Sequence, residues 1–395
     1  MPRHRTILVI GASGKVLHQA KALGLRVVYV QKKEQPPSTA LAHADHAVFT
    51  DYEDPAFLRV ARGLHEAFRF AHVVSLTESG LLPAARLQEA FGMPGNPVST
   101  VRLLRDKWAM RQRLNALGIS PVQARVGQTE ADLVAFARDC GMPLIVKPVD
   151  GVGSFGVLKI ERSADLPLRW RQIQQLGLAR FLMEEYLEGR EISVEAFSFD
   201  GRHVVLGVVD KTTLPNFVEV RHVVPARLDD AARAGVVSTV GAFLEAVGMR
   251  DGPSHTEVKL TANGPRIVES HNRVGGGRIT KLLEIAYGVD VVSLSYAWPL
   301  GLAPPLSRPP APSAGAATRF FVFQPGRVRR VSGLGGLRRH PAVVELELNV
   351  RAGDRLVPVC RSEDRPGYVV VRGAGAHEAA ATSEQLVQRV RVVTA

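Results

Sequence analysis

The sequence predicts an α/β protein with three parts: an N-terminal domain built on a parallel sheet, a central pair of mixed α+β lobes, and a small C-terminal α/β lobe. Three observations carry this. Residues 1–95 alternate short β-branched runs with helical periods, the rhythm of a parallel sheet with covering helices. Residues 143–160 place a glycine loop between two extended runs, which makes it a hairpin tip. Residues 255–273 hold a second hairpin, closed at Asn263-Gly264, with a glutamate on each arm.

Composition sets the frame. A chain of 395 residues holds two or three domains. A hydrophobic content of 46% fills sizeable cores, and 22% charged residues argues against wholesale disorder. The formal net charge is +12, with arginine outnumbering lysine. These basic residues are dispersed, without a Lys/Arg run or interleaved aromatics. The charge therefore points to a surface that attracts small anions rather than to a nucleic-acid interface. Cys140 and Cys360 are the only cysteines, which excludes a disulfide framework and a cysteine-rich zinc site. Thr6–Ile10 is too short for a signal-peptide core, and no run of about 18 apolar residues offers a membrane span. A soluble, cytoplasmic protein with no membrane partner is expected.

Taken in order, Thr6–Ile10 reads as a strand, Gly11-Ala-Ser-Gly14 as a turn, Lys15–Leu23 as a helix stopped by Gly24, and Arg26–Val30 as a second strand. Ala47–Thr50 and His72–Leu76 are further strands, with a helix over 55–69. Gly11–Lys15 is neither a P-loop, since Val16 stands where Ser or Thr should follow the lysine, nor a dinucleotide fingerprint. It is a tight turn, facing a ligand cleft or purely structural. Glu78 follows the His72–Leu76 strand at the end where such sheets bind ligands. It is a candidate for holding a substrate ammonium group, or a helix N-terminal charge. Ser99 is the expected N-cap of a helix over Val101–Leu117 that carries Lys107 and stops at Gly118. Residues 121–126 are extended, and Thr129–Cys140 is helical.

The glycine loop follows. Gly151, Gly153 and Gly156 spell G-x-G-x-x-G, weak evidence alone. A dinucleotide site needs a helix after the loop, and Val157–Ile160 reads as a strand. A protein-kinase loop fails too, because Lys147 precedes the loop and no H-R-D or D-F-G motif exists. Hairpin-tip glycines let backbone N–H groups reach phosphate oxygens, with Lys147 adding charge; an ordinary glycine turn is the alternative. Phe181–Phe199 forms two extended runs around an acidic centre, where backbone groups can pair with an adenine edge and a later carboxylate can hold ribose hydroxyls. Val204–Val209 is a strand, residues 210–225 are loop-rich, and Ala231–Val247 is a helix. Glu257 and Glu269 fall opposite each other on the second hairpin. Adjacent carboxylates repel unless a cation lies between them, and a hard divalent ion bridging phosphates fits; the alternative is two surface glutamates paired with arginines. Arg273, Gly275–Gly277 and Arg278 precede a helix starting near Thr280 and make an anion site. Residues 299–317 are a proline-rich crossing segment. Beyond it, Arg319–Phe323, Val343–Leu348 and Tyr368–Arg372 read as strands of a small appendage, and the chain ends in a helix at about 376–390.

In this order the pieces resemble the ATP-grasp superfamily over roughly residues 5–390. The runs Phe217–Pro225 and Glu269–Gly276 are similar to those of the carboxylate–amine ligases that join amino acids. The resemblance implies an ATP-grasp fold, two α+β lobes clasping ATP, over residues 96–300, with a glycine-loop lid subdomain at about 121–188. A Rossmann-like domain over 1–95 precedes it and a C-terminal α/β lobe over 301–395 follows. ATP and Mg²⁺, or Mn²⁺, are the implied cofactors. Lys107 and Lys147 would contact phosphates, and the loop of Gly151, Gly153, Ser154, Phe155 and Gly156 would close over them. Glu184, Glu185, Tyr186 and Leu187 would line the adenine and Glu191 would hold the ribose. Glu257 and Glu269 would bind metal, with His271 where the family has Asn and Asn272 beside it. Imidazole is a poorer magnesium ligand than an amide oxygen, so His271 alternatively touches phosphate or substrate. Arg221 replaces a family glycine and would narrow or charge the substrate pocket, to which Glu78 and Gly276 also belong. Arg273 and Arg278 would hold the carboxylate or acyl-phosphate. Lys211 and His222 are further catalytic candidates, His222 orienting the intermediate or assisting proton movement. The implied reaction joins a small-molecule carboxylate to an amine, releasing ADP and phosphate, in a homodimer that makes a specialised metabolite. Rival readings are an ATP-grasp carboxylase or phosphoribosyl-type ligase, a nicotinamide-dependent oxidoreductase, and a nucleotide-binding protein without turnover.

Overall fold

The structure, a computed structural model, describes residues 5–34, 39–151 and 153–395. Its N-terminal sheet has four parallel strands in the order His46–Phe49, Arg26–Gln31, Thr6–Ile10, His72–Val74. Thr6–Ile10 is buried on both faces, which is why it reads as a continuous apolar run.

The single helix expected over Val101–Leu117 is two helices, Val98–Arg105 and Lys107–Leu117. The break is Asp106, whose backbone is extended and whose carboxylate accepts the N–H of Ala109. Asp106, not Ser99, is the capping side chain; Ser99 lies inside the first helix, behind Pro97. An N-cap aspartate satisfies donors that a continuous helix would otherwise use internally. The break sets Lys107 at the first helical position, in reach of the glycine loop.

The region expected to form the lid folds as a four-stranded antiparallel sheet in the order Ala124–Gly127, Phe181–Glu185, Leu144–Pro148, Leu158–Ile160. Helices Glu130–Cys140 and Leu166–Gln175 cover it through Leu133, Phe136, Leu166 and Ile173. Val146 pairs with Leu158, so the glycine loop is a hairpin tip. Val152, within that loop, lies outside the described residues.

The central sheet has eight strands, all antiparallel. Their order is Gly264–His271, Gly252–Thr261, Arg190–Phe199, Arg202–Thr213, Glu219–Val224, Gly315–Phe320, Gly367–Gly373, Val343–Leu348. Residues 210–225 are therefore mostly strand rather than loop, with Lys211 paired to His222. In the second hairpin the tip is Ala262-Asn263, closed by Thr261 and Gly264, and Gly264 takes the left-handed backbone at φ 88°. The arrangement is a turn followed by a left-handed glycine, not a type I′ pair at Asn263-Gly264. Helix Asp230–Ala246 buries Val236, Val240, Phe243 and Leu244 against Ile192, Val194, Val258 and Ile267. Each such side chain is worth roughly 1.5–3 kcal/mol when fully buried, so this face holds the glutamate-bearing hairpin in place.

After the proline-rich crossing, three strands of the C-terminal region continue the central sheet instead of forming an appendage. The chain does not end in a helix. Ala376–Arg389 is followed by strand Arg391–Thr394, which pairs with Gly326–Ser332, itself paired to Arg355–Leu356. Among the described residues no helix is long and apolar enough to cross a membrane.

Candidate active site

A cavity of about 520 Å³ opens where the N-terminal domain, the lid, the central sheet and the C-terminal region meet. Of the residues expected from sequence, Glu78, Lys107, Lys147, Gly151, Gly153, Ser154, Phe155, Glu184, Glu185, Tyr186, Leu187, Glu191, Glu257, Glu269, His271, Arg273 and Gly276 line it.

At one end lie two lysines from different elements. Lys147, near the end of a lid strand, pairs with Glu184 at 2.6 Å. Glu184 is also held by Arg111 at 2.6 Å, and Arg111 is fully buried. Burial alone would raise the Glu184 carboxyl, but Arg111 and Lys147 outweigh it and hold it at about 2. The carboxylate of Glu184 is thus engaged with cations rather than free for a base. Lys107 donates to the carbonyl of Gly151 and lies 3.2 Å from Glu269 Oε2, tying the glycine loop to the carboxylate hairpin. Beyond Glu184, the Glu185 carboxylate accepts the N–H of Gln123, and the Tyr186 ring lies 3.9 Å beneath Lys159 Nζ.

The register of the second hairpin sets the acidic wall. His255 faces His271 and Glu257 faces Glu269, and alternate residues of a strand share a face. Glu191, Glu219 and Glu257 each bring a carboxylate oxygen within 4.8 Å of the others. Lys211 is sunk behind them, 2.5 Å from Glu219 and paired with Glu257. Burial alone would lower the Lys211 ammonium, yet Glu219, Glu257 and Glu191 hold it well above its ordinary range. Burial raises Glu191, reinforced by Glu257 and opposed by Lys211 and by Lys259, 3.0 Å away. Burial acts against Glu269 as well, but Lys107 and His271 hold it well below the usual carboxylate range. His255 anchors Glu257 from behind: Nδ1 lies 2.7 Å from Glu195 and Nε2 3.4 Å from Glu257. Burial would lower this imidazole; the Glu195 carboxylate raises it to about 9.

His271 faces the cavity, with Nε2 3.3 Å from Glu269 and Nδ1 3.1 Å from Glu78. Asn272 does not; it lines a separate small cavity with His72, Asp251 and Trp298. Glu78 is engaged by Arg273 at 2.7 Å and by His271, which overcome burial and hold it at about 2.

Five expected residues lie off the cavity wall. Arg221 is one residue out of phase with His222; it donates to Thr212 Oγ1 and sits near Glu384 on the other face, so it does not shape this pocket. Arg278 is turned away by an ion pair with Glu345, at 2.5 Å, and by the Tyr368 ring. Gly156 packs on Pro148. Lys211 and His222 stand behind Glu219, His222 with Nε2 3.1 Å from its carboxylate and Nδ1 3.1 Å from the Gly277 carbonyl. Sequence reasoning missed Arg111, Glu219, His255, Lys259 and Arg365. Arg111 sits four residues after Lys107 on one helix, the spacing of a shared face; Lys259 alternates with Glu257 on one strand. His255 alternates with Glu257 on that strand too, whereas Arg365 has no such local signal.

The donor set fits a divalent cation. Glu257 is paired with Glu269 across the hairpin and clusters with Glu191 and Glu219, and carboxylates are the donors that Mg²⁺ and Mn²⁺ favour. Both carboxylates now rest on lysines, the charge compensation expected of groups that also meet a cationic ligand.

Comparison with known proteins agrees with this architecture. The family model for the ATP-grasp N-terminal domain matches residues 17–95, that for the ATP-grasp domain residues 140–281, and that for L-amino acid ligase C-terminal domain 2 residues 319–395. The chain thus matches ATP-grasp domain models followed by an L-amino acid ligase C-terminal domain model. An uncharacterized protein, y4rH, of Sinorhizobium fredii is 27% identical over 318 residues, 78% of this chain and 65% of its own length. Alanine–anticapsin ligase of Bacillus subtilis is 27% identical over 285 residues, 66% of this chain and 60% of its own length. The chain thus spans less than two thirds of these relatives. The crystal structure of an L-amino acid ligase from Bacillus licheniformis superposes with a TM-score of 0.86 at 22% identity, covering 100% of both chains. The ATP-grasp fold expected from sequence is the fold of this protein.

Proposed function

We propose that the protein is an ATP-dependent ligase that activates a carboxylate as an acyl-phosphate and joins it to an amine, an amino acid, with release of ADP and phosphate. One observation carries the reading: Lys107 and Lys147 face the paired carboxylates Glu257 and Glu269 across a glycine hairpin. Phosphoryl transfer needs positioning and charge compensation more than covalent chemistry, and this wall supplies both. The likeness to alanine–anticapsin ligase supports the substrate class.

In this reading the backbone of the glycine loop and the two lysines hold the phosphates, while Tyr186 and Leu187 line the base and Glu191 meets the ribose. Glu257 and Glu269 would hold Mg²⁺ or Mn²⁺, which would supply charge neutralisation at the transferring phosphoryl group. His271 and Arg273, joined through Glu78, stand beside Glu269 to orient the reacting carboxylate. Glu219, set by Lys211 and His222, offers the amine an acceptor for its N–H groups. The family resemblance supports a cytoplasmic homodimer, and light scattering should give twice the chain mass of 42.8 kDa. The direct test mixes the protein with ATP, Mg²⁺ and pooled amino acids and follows phosphate release and new masses. Condensation products with stoichiometric ADP are expected. Phosphate release that instead depends on bicarbonate, or Glu269→Ala turning over as fast as the native protein, would sink the assignment.

A further inference from the structure

Among the described residues, the cations that line the cavity are paired, with one exception. Lys107 is matched by Glu269, Lys147 by Glu184, Lys259 by Glu191 and Arg273 by Glu78. Arg365, which lines the same cavity from the C-terminal region, forms no ion pair among the described residues. Its Nε donates to the Ser362 carbonyl at 2.8 Å and its Nη1 to the Glu219 carbonyl at 3.0 Å. Its guanidinium lies 3.8 Å over the Phe320 ring. Nη2 meets no acceptor among the described residues. The plane is fixed by the ring and by two carbonyls, and one edge of the fork is left over. Burial pushes this guanidinium below its ordinary range, and the nearby carboxylates of Glu219 and Glu363, neither in ion-pair contact with it, only partly oppose that.

An unpaired, half-buried, oriented guanidinium is costly unless something anionic completes it, and its planar fork matches a carboxylate. On the proposed ligase reading, two carboxylates enter the cavity. The one to be phosphorylated belongs near the lysines and the metal-binding glutamates. The other is never consumed and needs a separate cation. Arg365 shares its neighbourhood with Glu219, whose carbonyl it holds and whose carboxylate also lines the cavity. An α-amino acid requires this combination, a hydrogen-bond acceptor for its amine and a cation for its carboxylate.

We infer that Arg365, stacked on Phe320 beside Glu219, is the carboxylate anchor of the amine-donor subsite, so that the second substrate carries a free α-carboxylate.

The test compares a panel of amino acids with their carboxamides as amine donors, and uses hydroxylamine as a donor with no carboxylate. The native protein should favour free acids over amides by roughly 10- to 100-fold in kcat/KM, the worth of one charge-assisted hydrogen-bonded pair. Arg365→Gln should bring that ratio near one, mainly through KM for the donor. Arg365→Lys should keep part of it. Both variants should form hydroxamates within about twofold of native, which shows an intact fold and phosphorylation site. Retained discrimination in Arg365→Gln, or hydroxamate formation falling in step with it, would overturn the inference while leaving the ligase reading standing. A native protein that makes no hydroxamate from any acid of the panel would remove both.

Discussion

Glu184 holds Arg111 and Lys147 at once, and its carboxyl lies at about 2 against burial. The gap from its ordinary value near 4.5 corresponds to roughly 3 kcal/mol. Because the folded value is depressed, this stabilisation is present above the ordinary value and disappears as pH falls from about 4.5 to about 2. Denaturant titrations at several pH values should show the native protein losing stability across that window, with Glu184→Gln flatter there. Lys147→Met should lower kcat/KM by roughly 10²–10³, the cost of removing one preorganised charge donor from a transition state, as measured by coupled ADP release. At this scale the sequence was legible where one element carries both partners. Glu257 and Glu269 share a hairpin, so counting from its turn brought them together. Arg111 and Glu184 are 73 positions apart, and His255 and Glu195 are 60 apart. Such pairs arise from sheet order, which no local window contains. Arg221 was expected in the pocket because it stands where the family has glycine, and the strand register sets it one residue out of phase with His222.

The breaks between elements do as much as the elements. Asp106 ends one helix and caps the next, and so fixes Lys107 at a helix start. Asp106→Ala should cost about 1 kcal/mol, read by thermal unfolding, and should weaken nucleotide binding measured by calorimetry. Gly277 sits at φ 58°, and a Cβ there would fall 2.3 Å from the His222 ring, which is fully buried and cannot yield. Gly277→Ala should therefore lower Tm by several degrees, consistent with about 1–3 kcal/mol of overpacking and strain. The apolar strands and the capped helix Glu130–Cys140 were legible because their periods follow burial. The stretch 210–225 was not, because its inward positions are Lys211, Glu219 and His222. Buried charge on a strand looks like a polar loop until its partners are known.

Across the whole molecule, one eight-stranded sheet joins the glutamate hairpin to strands Gly315–Phe320, Gly367–Gly373 and Val343–Leu348. Those strands cover the edge formed by Glu219–Val224, and Arg365 reaches the cavity from the same region. A chain ended at residue 314 would expose that edge and the apolar faces of Val223 and Val224, a template for aggregation. It should lose cooperative unfolding by circular dichroism rather than merely lose activity. The N-terminal rhythm of strands and helices made the fold class legible, whereas the arginine-rich strand Gly326–Ser332 and the closing strand Arg391–Thr394 carry too little apolar alternation to announce themselves. The two lysine–glutamate contacts at the heart of the site carry a further consequence. With Lys107 on Glu269 and Lys211 on Glu257, a bare nucleotide would have to strip lysines from carboxylates and leave those carboxylates uncovered. A bare metal ion would face the mirror problem. On the proposed reading, Lys107 would turn to phosphate and Glu269 would hold the metal when both are bound, which would keep the interior near electroneutrality. Nucleotide and metal should thus tighten each other's binding by the same factor, and the order of addition should matter far less than their joint presence.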